Sequence, residues 1–178
     1  MNADPLLERF NFFQTAYAVS DIEEAVRVAA RFYGIDKFQI NRNAHVRTHE
    51  GEANLHFALA FVGDAQIELI QPAGGKDGAY RRVLPNQGFA MRLHHFGHLT
   101  TDAAEWEGIV AAVKESGFDM PVGGIFVHEG VPLMHYLYAD TRETLGHHLE
   151  FMFQTPHGKD LFSQVPRHAL RAGYMQRK

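Results

Sequence analysis

The 178-residue chain is 46% apolar and 21% charged, the balance of a soluble globular protein of one domain or two small modules sharing a core. Seventeen basic against twenty-one acidic residues leave a net charge of −4, without the basic stripe that neutralises nucleic-acid phosphates. The absence of cysteine excludes disulfides, thiolate metal sites and Cys nucleophiles, so any metal must be held by His, carboxylate or amide oxygen. No apolar run approaches the roughly 18 residues of a membrane span, and the first ten residues lack a signal-like apolar core. A cytoplasmic protein with a small-molecule partner, and neither nucleic acid nor membrane, is expected.

Phe12 to Val19 reads as a strand, and Ser20-Asp21 can cap the helix in which Ile22, Ala25, Val26, Ala29, Ala30 and Tyr33 recur at three- and four-residue steps until Gly34. Phe38 to Ile40 reads as a short strand. Asn54 to Val62 and Ala65 to Gln71 read as two more, joined at a Gly63-Asp64 turn. The Gly- and Pro-rich stretch from Pro72 to Gly88 marks a linker. The first pattern then returns: a strand at Leu93 to Leu99, a helix capped by Thr101-Asp102 and stopped by Gly117, and strands near 125–127, 134–138 and 149–153. The organisation expected is a first module over 1–71, a linker over 72–92, a second module over 93–154 and an extension over 155–178. That extension, with Arg167, Arg171, Arg177 and Lys178, is expected to cross a dimer interface, cover a cup mouth or run free.

The repeat can be counted. Gln14 precedes Asp21 by seven residues, as His95 precedes Asp102; Glu68 follows Gln14 by 54 residues and Glu150 follows His95 by 55. His49-Glu50-Gly51 precedes His56 as His128-Glu129-Gly130 precedes His135. These registers predict two βαβββ modules. Strand alternation puts Ile67 and Leu69 on a core face with Glu68 opposite, and Leu149, Phe151 and Phe153 on a core face with Glu150 opposite. Gln14 shares a face with Ala16 and Ala18, and His95 with Gly97: polar groups flanked by small residues, as a concave pocket needs. Assigning Phe57, Leu59 and Phe61 to the core sends His56, Ala58 and Ala60 to the cavity.

The stretches FFQTAYAVSDIEEAV, QIELIQP, LHHFGHLTTD and YADTRETLGHHLEFMF resemble the vicinal oxygen chelate superfamily over Phe12 to Phe153, with the glyoxalase-like branch that holds the epimerases as the nearest likeness. The resemblance implies an α+β fold in which two βαβββ modules form an eight-stranded, cup-shaped mixed sheet. It implies one divalent metal ion (Zn, Ni, Co, Mn or Fe) on Gln14, Glu68, His95 and Glu150. Many epimerases have His where this chain has Gln14, whereas glyoxalases also use Gln. A homodimer is expected. Independently of the likeness, one imidazole, two carboxylates and an amide oxygen form a mostly hard site of charge −2, and a dication would relieve the repulsion between the carboxylates.

The implied activity is that of a metal-dependent isomerase or lyase, enolising a small carbonyl or thioester substrate. The alternatives are an extradiol-type dioxygenase, or a non-catalytic small-ligand binding protein of the bleomycin-resistance type. The candidate bases are Glu150, Glu68, Glu52 and Glu50. In epimerase-like proteins a Glu some sixteen residues before the last metal ligand of the first module is the base, a spacing that selects Glu52, while the following glycine favours Glu50. His56, His135, Tyr138 and Arg142 are candidate substrate contacts, Arg142 through its bidentate fork. Alternation turns His94 and His98 away from the cup, and His147-His148 reads as a solvated turn.

Overall fold

The structure is a computed structural model, and residues 10–169 are described. Strand β1 (Gln14–Val19) leads into helix α1 (Ile22–Tyr33), where the Asp21 carboxylate accepts the Glu24 amide and Gly34, at φ 71°, closes the last turn. Strands β2 (Gln39–Thr48), β3 (Gly51–Val62) and β4 (Ala65–Gly75) complete the first βαβββ unit. After a short helix α2 (Gly78–Arg81), strand β5 (Met91–Thr100), helix α3 (Ala103–Glu115), and strands β6 (Gly123–His128) and β7 (Val131–Ala139) follow. Helix α4 (Arg142–Leu145) then precedes strand β8 (His148–Gln154). A 3-10 turn (Pro156–Gly158) and a two-residue strand β9 (Arg167–His168) end the described chain.

The strands form one mixed sheet in the order β2-β3-β4-β1-β5-β8-β7-β6, with β9 added in parallel to β3. β1 is parallel to β4, β5 is parallel to β8, and the two units meet where β1 and β5 pair antiparallel. A bridge between Thr48 and Val122 draws the two outer edges toward each other, so the sheet curls into a nearly closed cup. This is the two-unit βαβββ architecture expected from the repeat. Helix α1 packs Ile22, Ala25 and Ala29 on the outside of β3 and β4, and α3 packs Ile109 and Val113 on the outside of β7 and β8.

Three stretches differ from the sequence expectation. β2 runs ten residues rather than three, because an outer strand with polar residues on both faces carries no alternating apolar signal. The stretch read as a linker extends β4 to Gly75 and then folds into α2, which buries Tyr80 beside Ala16, Leu55 and Tyr138. In the extension, β9 lies against β3 while Leu161 and Phe162 form part of the cavity wall; Arg171, Arg177 and Lys178 lie outside the described residues.

The expected face of β3 is reversed. Leu59 pairs with Glu68 across the β3–β4 ladder, and residues so paired share a face, so Phe57 and Leu59 look into the cup. Ala58 and Ala60 lie beneath α1, against Ile22, Ala25 and Ala29. Size misled the reading: small residues occupy the face on which a helix sits close, and the bulky ones line the cavity.

The caps give a check on this framework. Asp102 accepts the Ala104 and Glu105 amides at the start of α3 as Asp21 does for α1. Asp21→Ala and Asp102→Ala should each destabilise the protein by about 1 kcal/mol, seen as a lower denaturation midpoint at an unchanged slope.

Candidate metal centre

Two adjacent rows of residues cross the inner face where the units meet. One runs Glu68, Ala16, His95, His148 over β4, β1, β5 and β8; the other runs Gln66, Gln14, Gly97, Glu150, Tyr138 and reaches β7. Ala16 and Gly97, between the longer side chains, leave the space in which those converge. A Cβ on Gly97 would stand 2.9 Å from Gln14 Cβ and 2.8 Å from Met152 Cε, so glycine is what lets Gln14 reach inward.

His95 is fully buried. Its Nε2 lies 3.0 Å from Gln14 Oε1, 3.1 Å from Glu150 Oε2 and 3.5 Å from Glu68 Oε2. The Gln14 amide is oriented by its Nε2, which donates to Gln66 Oε1 at 2.6 Å and leaves Oε1 facing His95. Gln66 was missed from the sequence, although its position two residues before Glu68 on the same strand places it on the same face. Burial raises the Glu68 carboxyl above its ordinary value, against the pull of His95. At His95 burial opposes the imidazolium, yet Glu150 and Glu68 together outweigh it and lift the pKa from 6.5 to about 9. Burial, with Glu150 among the further causes, pushes the Tyr80 and Tyr138 phenols well above 10, so both remain neutral.

These donors suit a divalent ion. The candidate ligand atoms of Glu68, His95 and Glu150 all lie within 4.8 Å of one another. Metal–nitrogen and metal–oxygen bonds of about 2.1 Å place neighbouring ligands roughly 3.0–3.4 Å apart, close to the 3.0, 3.1 and 3.5 Å found around His95 Nε2. An ion there would replace the positive charge of the imidazolium between the carboxylates.

His94 does not turn away. Ala16 pairs with His95 but Tyr17 pairs with Leu93, so His94 is the extra residue of a β-bulge and the alternation breaks there. His94 and His95 therefore both point inward, with the His94 ring against Tyr80, His148 and Tyr138. His148, expected to be solvated, is buried beneath it. His98 does face outward: its Nδ1 accepts the Asn11 amide and its Nε2 is 3.4 Å from Glu105.

A cavity of about 570 Å³ opens above the cluster, lined by Gln14, Gln66, Glu68 and Glu150 at its base, by Phe57, Leu59, Phe126, Met134, Tyr136 and Phe162 on its walls, and by Gln39 and Asn41 from β2. Tyr138 lines it. Five other candidates lie elsewhere. His56 accepts the Asn43 amide on the outer face, by the β3 parity given above, and His135, paired with Phe153 and three residues from the inward Tyr138, packs beside Trp106 and Phe153 under α3. Arg142 forks onto Asp140 at 2.8 and 2.6 Å, which holds that carboxyl down at about 2. Glu50 pairs with Arg82, and Glu52 is exposed on β3; neither lines the cup.

The Glyoxalase/Bleomycin resistance protein/Dioxygenase superfamily matches residues 13–134, more than half of the chain. The chain belongs to this superfamily. Its fold is similar to that of methylmalonyl-CoA epimerase in complex with methylmalonyl-CoA and NH4+, at 15% identity and a TM-score of 0.52, over 82% of this chain and 94% of that one. Similar too are a Streptomyces coelicolor methylmalonyl-CoA epimerase variant with 2-nitronate-propionyl-CoA (15% identity, TM-score 0.51, 82% and 94% covered) and the Mycobacterium tuberculosis enzyme (15%, 0.51, 80% and 87%). At such identities the likeness is one of fold. None of the curated proteins matches the sequence significantly. No helix among the described residues is long and apolar enough to cross a membrane.

A ligating imidazole must be neutral, so an ion taken up near pH 7 should displace about one proton from His95, and affinity should rise about tenfold per pH unit until pH 9. Titration calorimetry with Zn²⁺ in buffers of different ionisation enthalpy reads this directly; heats independent of buffer would refute it. His95→Ala and Glu150→Ala should each lose most bound ion by elemental analysis, while His98→Ala keeps it.

Proposed function

We propose that this protein is a metal-dependent isomerase or lyase of the glyoxalase and epimerase type, which enolises a small carbonyl or thioester substrate. The observation that carries the reading is a buried His95 facing Glu68, Glu150 and the Gln14 amide oxygen at the base of a cavity large enough for a small molecule. Those four residues would hold the ion, and a bound dication supplies Lewis-acid stabilisation of negative charge developing on substrate oxygen.

The remaining chemistry belongs to the chain's own groups. Enolisation needs a base that removes a proton from carbon and returns it. Glu68 and Glu150 are the carboxylates that line the cavity, and burial raises the Glu68 carboxyl above its ordinary value in the metal-free protein. Glu50 and Glu52 stand outside the cup, which removes support from their candidacy. The neutral phenols of Tyr80 and Tyr138 hydrogen-bond to each other, which leaves one of the two hydroxyl protons to donate toward the base of the cavity. Phe57, Leu59, Phe126 and Met134 offer apolar walls that exclude water from a carbanion-like centre. No Lys or Arg lines the cavity among the described residues, so the part of the substrate held inside is best neutral.

A dioxygenase site of the facial type uses two His and one carboxylate. One His with two carboxylates and an amide favours proton transfer over oxygen chemistry. A non-catalytic binding protein has no need of that buried ligand set.

The test is exchange of substrate protons in heavy water, screened with methylglyoxal plus glutathione and with methylmalonyl-CoA at matched metal occupancy. Glu→Gln at the true base should lower exchange by about 10² to 10⁴ while ion content changes far less. Wild-type exchange in both Glu68→Gln and Glu150→Gln on an accepted substrate would refute the assignment of the base. Oxygen uptake with a catechol by the Fe²⁺ form, without exchange, would put the dioxygenase first.

A further inference from the structure

We infer that His94 is a positioning residue that holds the His95 ring with its proton on Nδ1, leaving the Nε2 lone pair for the ion. The inference rests on the metal-site reading above.

The hydrogen bonds admit one arrangement. The Ala79 carbonyl oxygen can only accept, so His94 Nε2, 3.1 Å from it, carries a proton. The His94 ring is 1% exposed, stacked on Tyr80 at 4.8 Å and tilted against His148 at 4.7 Å. Among the described residues no carboxylate lies within ion-pair distance of it, so a charged ring would be buried without a counter-ion. A neutral ring with its proton on Nε2 has a bare Nδ1. That atom is 2.9 Å from His95 Nδ1, so the proton between them belongs to His95.

The device answers a difficulty that the site itself creates. Three oxygens surround His95 Nε2, and without an acceptor on the other side of the ring they would draw the neutral imidazole's single proton to Nε2, the wrong place for a ligand. Ligating histidines usually give their second N–H to a carboxylate, a backbone carbonyl or water. Here a second imidazole accepts it, and orients the ring without adding another negative charge beside Glu68 and Glu150. The acceptor is moored in turn. Asp77 accepts the Gly74 amide at 2.9 Å and pairs with Arg81 at 2.5 Å, which fixes α2 and its Ala79 carbonyl. The bulge that turns His94 inward and the α2 segment outside the repeat thus serve the same nitrogen.

The test uses the whole chain, Zn²⁺ with a competing chromophoric chelator, and nitrogen-15 spectra of the imidazole rings. His94→Phe keeps a flat ring on Tyr80 but cannot accept; it should bind Zn²⁺ about 10- to 100-fold more weakly, and His94→Gln, with an amide oxygen to accept, should recover much of the loss. In the wild type, His94 should carry its proton on Nε2 before and after Zn²⁺, and zinc-loaded His95 should carry its proton on Nδ1. Wild-type affinity in His94→Phe, or a His94 proton on Nδ1, would overturn the assignment. Should His94→Phe not fold, the wild-type spectra decide alone. Should the wild type bind no divalent ion, the proposed function fails, while the metal-free spectrum still decides how the two rings share their protons.

Discussion

Glu68 and Glu150 converge on the buried His95 at the base of the cavity, and positive charge between the two carboxylates relieves their repulsion. The surrounding structure follows from that requirement. The ring must sit between the acids, so β1 and β5 must pair in a register that sets Ala16 beside both Glu68 and His95. Space must be kept for the converging side chains, so Ala16 and Gly97 are small. A proton on His95 or a divalent ion can supply the charge, and the two compete for one nitrogen. That competition would link uptake of an ion to pH without any moving part.

The cavity above is of a different character. Its walls are aromatic and aliphatic, with amides and the His45 ring from β2 and, among the described residues, no Lys or Arg. The carboxylates are confined to the base, where chemistry would occur, and the walls can select for shape and apolar contact. Part of the wall comes from beyond the repeat, since Leu161 and Phe162 follow β8 and are carried across by the pairing of β9 with β3.

Local signals were enough for the caps, the helical faces and the spacing of Gln14, Glu68, His95 and Glu150, because each depends on a period or a short separation along the chain. They were enough also to predict the two βαβββ units. They failed at His56 and His135, whose faces follow from cross-strand pairing, and at His94, where a single unpaired residue resets the alternation. They failed again at Tyr80, a large aromatic inside a Gly-rich stretch that composition alone marks as a connection.

What the sequence by itself determined is which groups could carry the chemistry: a duplicated pattern with an amide, an imidazole and two carboxylates at matching positions, and no thiol. Only the tertiary structure decided which residues surround them, that Gln66 orients the amide, that Arg142 is spent on Asp140 and that His94 stands behind His95. Periodicity is a property of one strand, whereas the neighbours of a buried group come from four strands whose mutual register is set by packing over the whole sheet.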